Sequence, residues 1–181
     1  MISRIHCINN NKNEALNYLR IAEQNNPRSY PVSLTKSVYE FLYNSNVEAS
    51  FSAIKQAKRL SIKGQLEWRY NWAFLKFWNG EYKDAYAMCR KINNQRYERE
   101  DSTLDEVEVF NRDLLKKEPE KTQLYFWIGY LAYKKRGDIL KAKSLFDQYL
   151  SQTNGKAQEY LVMLAKSFLS EINNKSNLGN S

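Results

Sequence analysis

The sequence contains few of the residues that make tight turns. Only 6 glycines and 3 prolines occur in 181 residues, which disfavours a sheet protein and favours long helices joined by short links. No apolar run approaches the ~20 residues of a membrane span. The N-terminus lacks the apolar core of a signal peptide, because three asparagines at residues 9–11 interrupt it. We therefore expect a soluble protein with cytoplasmic localisation.

Cysteine and histidine are equally scarce. Cys7 and Cys89 form no Cys-x-x-Cys motif, so reduced thiols are expected. His6 is the only histidine, which disfavours a His-based catalytic triad and excludes a two-histidine metal site within one chain. No glycine-rich phosphate-binding motif occurs. We therefore predict that the protein is not an enzyme and that it holds no cofactor or metal.

The remaining composition is that of an ordinary globular domain, with 43% hydrophobic and 27% charged residues. The net charge of +8 is unevenly distributed. Residues 1–97 contain 15 basic and 7 acidic side chains, whereas residues 98–181 contain 13 of each. The basic excess of the N-terminal half indicates an acidic protein surface or a nucleic acid as partner. A basic face that only confers solubility is the alternative.

The stretch from Leu66 to Ile92 is typical of a helical hairpin. Aromatic and aliphatic residues recur at helical spacing on both sides of Asn79-Gly80, which is a turn signal. Small residues, Ala73 and Ala85, stand where the two helices should touch. We therefore expect their backbones to approach closely.

Similar periodicity runs through most of the chain. The predicted helices cover residues 13–24, 31–43, 47–60, 66–79, 81–92, 103–117, 122–135, 139–150 and 156–172, with a short helix over 1–9 and a polar tail over 173–181. Short polar turns separate them. The pattern predicts an all-α fold.

Small residues also recur along the chain. Ala15 and Ala49 are 34 residues apart, Ala49 and Ala85 are 36 apart, and Ala85 and Ala142 are 57 apart. Each of Ala85 and Ala142 follows a turn glycine by five residues, Gly80 and Gly137. These segments resemble the tetratricopeptide-repeat family, whose unit is a helix–turn–helix of 34 residues.

This resemblance implies a right-handed α-solenoid of about four hairpins within a single domain, residues 1–172. The long third interval implies an inserted helix at about residues 100–121, and residues 156–172 would then form a C-terminal capping helix. Gly129 lies one residue away from the position expected from Gly137. An irregular all-α bundle is the alternative arrangement.

The resemblance also implies a function. In this family the first helix of each repeat lines a concave groove that holds a peptide or helix of a partner. The implied groove residues are Tyr70, Phe74, Phe77, Trp78, Trp127, Leu131, Lys134 and Lys135. We therefore expect a protein–protein interaction module that acts as an adaptor, scaffold, chaperone or complex subunit. Alternatively, the aromatic side chains of this set pack in the hydrophobic core.

A basic rim is predicted beside this groove. Its residues are Lys55, Lys58, Arg59, Lys63 and Arg69. A basic rim next to an aromatic groove favours a protein or peptide partner with apolar anchors and acidic flanks. The alternative function is a nucleic-acid-associated regulatory protein that uses the basic surface of residues 55–69.

Overall fold

The computed structural model describes residues 11–62, 67–93, 100–153 and 159–178. Every regular element within these ranges is helical, so the predicted all-α fold is confirmed. The short helix expected over residues 1–9 lies outside the described residues. Backbone contacts divide the chain into two compact units, Met1–Ile92 and Asn93–Ser181. Their union into one repeat domain stays a prediction.

The first unit contains five described helices. They are α1 (Lys12–Asn25), α2 (Tyr30–Asn44), α3 (Val47–Leu60), α4 (Glu67–Trp78) and α5 (Tyr82–Asn93). Each helix begins and ends within one residue of its predicted bounds, because residues close to its ends determine where a helix starts and stops. Asn11 and Asn46 cap α1 and α3 by accepting hydrogen bonds from Glu14 and Ala49 amides, and Pro31 lies in the first turn of α2.

The second unit contains four described helices and one π-helical turn. They are α6 (Glu100–Lys117), α7 (Gln123–Leu131), the π turn (Ala132–Arg136), α8 (Ile139–Gln152) and α9 (Glu159–Leu178). The predicted inserted segment is therefore helical. Helix α9 continues past its predicted end at residue 172 into the expected tail. No helix in the described ranges is both long and apolar enough to cross a membrane.

Four helices, α1, α3, α5 and α8, begin with the same local arrangement. In each, the amide of the fourth residue after the cap position donates to the cap carbonyl at 3.0 Å. That fourth residue is small and at most 1% exposed. The four residues are Ala15, Ser50, Ala85 and Ala142. The expected burial of Ala85 and Ala142 is thus confirmed.

In α3 the buried small residue is Ser50 rather than Ala49, from which the repeat spacing was counted. Asn46 caps the helix through the Ala49 amide, and this phase turns Ser50 inward and leaves Ala49 half-buried. The intervals from Ala15 to Ser50 and from Ser50 to Ala85 are then both 35 residues. Three helix–turn–helix units share a left-handed residue at the turn, at Ser45, Gly80 and Gly137. Their stacking as a right-handed solenoid stays a prediction.

The displaced position of Gly129 has a structural cause. Ala73 precedes its turn glycine by seven residues, whereas Gly129 precedes Gly137 by eight. The π turn at Ala132–Arg136 accommodates the additional residue, because a π-helix closes its hydrogen bonds over one more residue than an α-helix. Gly129 therefore still faces α8, where an added Cβ would lie 3.2 Å from the Leu145 Cβ.

Helix α9 covers the aromatic core of the second unit. Its inward stripe, Leu161, Ala165, Phe168 and Ile172, is at most 3% exposed. The ring of Phe168 lies 5.6 Å from Phe146 and 5.7 Å from Tyr133, measured between centroids. The opposite face of α9 is mainly polar, as the predicted capping role requires.

Candidate partner-binding surface

Five of the eight predicted groove residues lie in the core. Tyr70, Phe74, Phe77, Trp127 and Leu131 are between 2% and 7% exposed. Phe74 packs edge-on against Phe41 of α2, with ring centroids 5.4 Å apart, and Phe77 packs against Tyr82 at 5.3 Å. A side chain with so little exposed surface offers no contact to a partner. Because large rings on neighbouring helices fill the space between them, the structure places these residues in packed layers rather than in an open groove.

The other three predicted groove residues, Trp78, Lys134 and Lys135, are half-buried. Trp78 packs against Phe41, with ring centroids 5.0 Å apart. The ammonium group of Lys134 donates to Glu171 Oε2 at 2.9 Å and lies 4.8 Å from the Phe168 ring centroid. Lys134 thus attaches α9 to the π turn that follows α7.

Tyr133 supports the same attachment. Its hydroxyl donates to Glu171 Oε2 at 2.9 Å. Burial, followed by the neighbouring Glu171 carboxylate, raises the pKa of Tyr133 to about 12, because both effects disfavour the phenolate. This cluster therefore has a structural role within the second unit.

The predicted basic rim remains at the surface. Lys55, Lys58 and Arg59 are exposed on α3, Arg69 is half-buried on α4, and Lys63 lies outside the described residues. Within the part of the chain that the structure describes, no carboxylate forms a salt bridge with Lys55, Lys58 or Arg59. Their positive charge is available to an external anion.

Acidic side chains of the first unit are engaged elsewhere. Glu23 pairs with Lys36 at 2.8 Å, and Glu67 accepts a hydrogen bond from the Tyr30 hydroxyl at 2.8 Å. Glu81 pairs with Lys76, and this hydrogen bond is the main cause of its lowered pKa. These three carboxylates are therefore not the partners of Lys55, Lys58 or Arg59.

A layer of aromatic rings lies beside the exposed cations. The ring of Trp72 is 5.6 Å from that of Phe51 and 6.5 Å from that of Trp68. Phe51 and Trp72 are half-buried, and Trp68 is buried. Together with the cations they form a surface that we call the aromatic–basic face. It consists of Phe51, Lys55, Lys58 and Arg59 of α3, and Trp68, Arg69, Trp72 and Lys76 of α4.

Cations cover the rings of this face. Lys76 lies 5.4 Å from the Phe51 centroid, Lys58 lies 5.5 Å from the Trp68 centroid, and the Arg69 guanidinium carbon lies 5.2 Å from it. Cation–π contacts of this kind are favourable and hold the charged groups over the rings. The face therefore presents positive charge on an aromatic support and leaves less ring surface for stacking.

Four members of this face were not among the site residues predicted from the sequence: Phe51, Trp68, Trp72 and Lys76. Helical spacing could have identified them. It places Phe51, Lys55 and Lys58 along one stripe of α3. It likewise places Trp68, Trp72 and Lys76 along one stripe of α4. Among the described side chains, no group of three histidine, cysteine, aspartate or glutamate residues could hold a metal ion.

No protein-family model matches this chain, and no curated protein sequence matches it. The likeness to tetratricopeptide repeats therefore rests on helix spacing and turn residues alone. Function has to be inferred from the surfaces that the described residues form.

Proposed function

We propose that the protein is a non-catalytic cytoplasmic interaction module of tetratricopeptide-repeat type, which binds an acidic segment of a partner protein on the aromatic–basic face. The observation that carries the proposal is the set of exposed cations Lys55, Lys58 and Arg59, which have no carboxylate partner among the described residues. Lys58 also lies over the ring of Trp68, which packs edge-on against the half-buried Trp72. The module acts as an adaptor, scaffold, chaperone or complex subunit.

The half-buried rings favour a protein partner. Phe51 and Trp72 keep part of their surface accessible, which suits an apolar anchor of the partner, and aromatic and arginine side chains are common at the centres of protein interfaces. The cations around them suit acidic residues that flank the anchor. In this proposal the partner therefore binds to the aromatic–basic face instead of the buried rings of the predicted groove.

The alternative partner is a nucleic acid. Single-stranded nucleic acids combine phosphate contacts with bases stacked on open aromatic faces. Here Lys58 and Arg69 cover Trp68, and Lys76 covers Phe51. A nucleic acid would have to displace these cations or use phosphate contacts alone, so a protein partner is favoured.

The test uses two full-length variants with the same change of net charge. One carries Lys55→Glu, Lys58→Glu and Arg59→Glu on the face, and the control carries Arg20→Glu, Arg90→Glu and Lys91→Glu at exposed positions of α1 and α5. Proteins captured by the wild-type chain from native cells are identified and then measured individually by surface plasmon resonance. Charged contacts mainly accelerate association and are screened by salt.

We expect the face variant to weaken binding by at least about tenfold, mostly through slower association at low salt, while the control binds as wild type. Trp72→Ala should weaken binding by about 2 kcal/mol through faster dissociation. Equal losses in both charge variants would refute a specific face. Capture that a nuclease abolishes would establish the nucleic-acid alternative.

A further inference from the structure

Two cations from different helices converge on one buried ring. The Lys58 ammonium of α3 lies 5.5 Å from the Trp68 centroid, and the Arg69 guanidinium carbon of α4 lies 5.2 Å from the same centroid. Trp68 itself is only 7% exposed, so the surrounding helices hold the ring. Both positive charges therefore lie within 5.5 Å of one ring centroid, although like charges repel.

Both cations lack a counter-ion. No described carboxylate pairs with either of them. The Nε atom of Arg69 is buried and its N–H has no hydrogen-bond acceptor in the described structure. A buried donor without an acceptor is unfavourable. The remainder of the half-buried guanidinium group is accessible, and an oxyanion bound there would compensate both charges.

From this geometry we infer that Lys58 and Arg69, on the support of Trp68, form a subsite for a phosphate group carried by the partner. The inference rests on the proposed function, because it names the chemistry of the acidic group that the face receives. A phosphate monoester carries nearly two negative charges and three acceptor oxygens, which suits two cations. The guanidinium fork binds such oxygens in pairs, whereas a single carboxylate balances only one cation.

Inorganic phosphate is the probe, because it tests the subsite without a partner. The full-length protein is titrated with phosphate, acetate or chloride at constant ionic strength, and the resonances of the Arg69 Nε–H and the Trp68 indole N–H are followed by NMR. Assignments come from Arg69→Lys and Trp68→Phe. Phosphate should shift both resonances saturably. Acetate, which stands for a carboxylate source, should bind at least about tenfold more weakly, and chloride should have no saturable effect.

Matched variants separate a subsite from general attraction to positive charge. Lys58→Gln and Arg69→Gln should each weaken phosphate binding by at least about tenfold, as should Arg69→Lys, which keeps the charge but loses the fork. Lys91→Gln is the control, since Lys91 is exposed on α5, outside the aromatic–basic face, and the described structure shows it over no ring. It should change binding less than about twofold. Circular dichroism verifies that each variant is folded.

Three results would overturn the subsite. They are phosphate binding by Arg69→Lys as tight as wild type, a loss of phosphate binding in Lys91→Gln as large as in Lys58→Gln, or acetate or chloride binding as tightly as phosphate. These failures are distinct from failure of the proposed function. If phosphate does not bind while the triple face variant still loses its protein partner, the face stands and the subsite is wrong. If phosphate binds specifically while that variant keeps its partner, the subsite stands and the docking face is wrong.

Discussion

Replacement of Gly129 by alanine tests how closely α7 and α8 pack. The added Cβ would lie 3.1 Å from Phe146 Cε1, 3.2 Å from Phe146 Cδ1 and 3.2 Å from Leu145 Cβ. Carbon atoms are best separated by about 3.5–4.0 Å, so all three contacts are too short. The Leu145 Cβ is attached directly to the backbone, so relief there requires a shift of α8 itself.

Two opposing effects set the magnitude. Alanine is favoured over glycine in a helix interior by about 1 kcal/mol. Overpacking of a filled core costs about 1–3 kcal/mol. We therefore expect Gly129→Ala to lower the free energy of unfolding by about 1 kcal/mol, and Gly129→Val, which adds two more methyl groups, to lower it by about 3 kcal/mol. The measurement is urea denaturation followed by far-UV circular dichroism.

The control is an exposed site on α8, where packing does not contribute. At Gln148 the alanine variant should be more stable than the glycine variant by about 1 kcal/mol, because only helix propensity differs. The variant with glycine should therefore be the more stable one at position 129, and the variant with alanine the more stable one at position 148. If Gly129→Ala raises stability by the amount seen at position 148, α7 and α8 do not meet at Gly129 and the reasoning is refuted.

The other predictions concern the repeat position and the attachment of α9. Ala85→Leu and Ala142→Leu should each lower the free energy of unfolding in urea by about 1–3 kcal/mol, because both sites are at most 1% exposed. Ala49→Leu, at a half-buried site, should lower it by less than about 0.5 kcal/mol. Equal effects at all three positions would contradict the register. Because the pKa of Tyr133 is raised from 10.0 to about 12, its contribution is complete well below pH 10 and is lost as the pH rises to 12. The loss should be about 1–2 kcal/mol, because solvent screens part of the effect. Tyr133→Phe should lack this alkaline loss in denaturation measured across that range, and an unchanged slope would count against the role of Tyr133.

Much of the local structure could be predicted because its causes lie close together in the chain. Helices α1 and α3 begin at the capping residues Asn11 and Asn46, and Gly80 marks the turn after α4, and each of these residues acts within one helical turn. The inward stripe of α9 follows from periodicity alone. The one-residue shift to Ser50 escaped prediction because Ala49 and Ser50 are both small and only the observed phase of α3 distinguishes them.

The sequence by itself determined where the helices lie, which of their faces are apolar and in which half the positive charge is concentrated. Only the tertiary structure decided which rings are covered, since spacing assigns Phe74 to a helix face but does not show that Phe41 packs against it. The convergence of Lys58 and Arg69 on Trp68 likewise depends on how α3 packs against α4. Helical periodicity is a property of neighbours along the chain, whereas burial and ion pairing depend on residues brought together from distant positions, so the candidate surface emerged only from the packing.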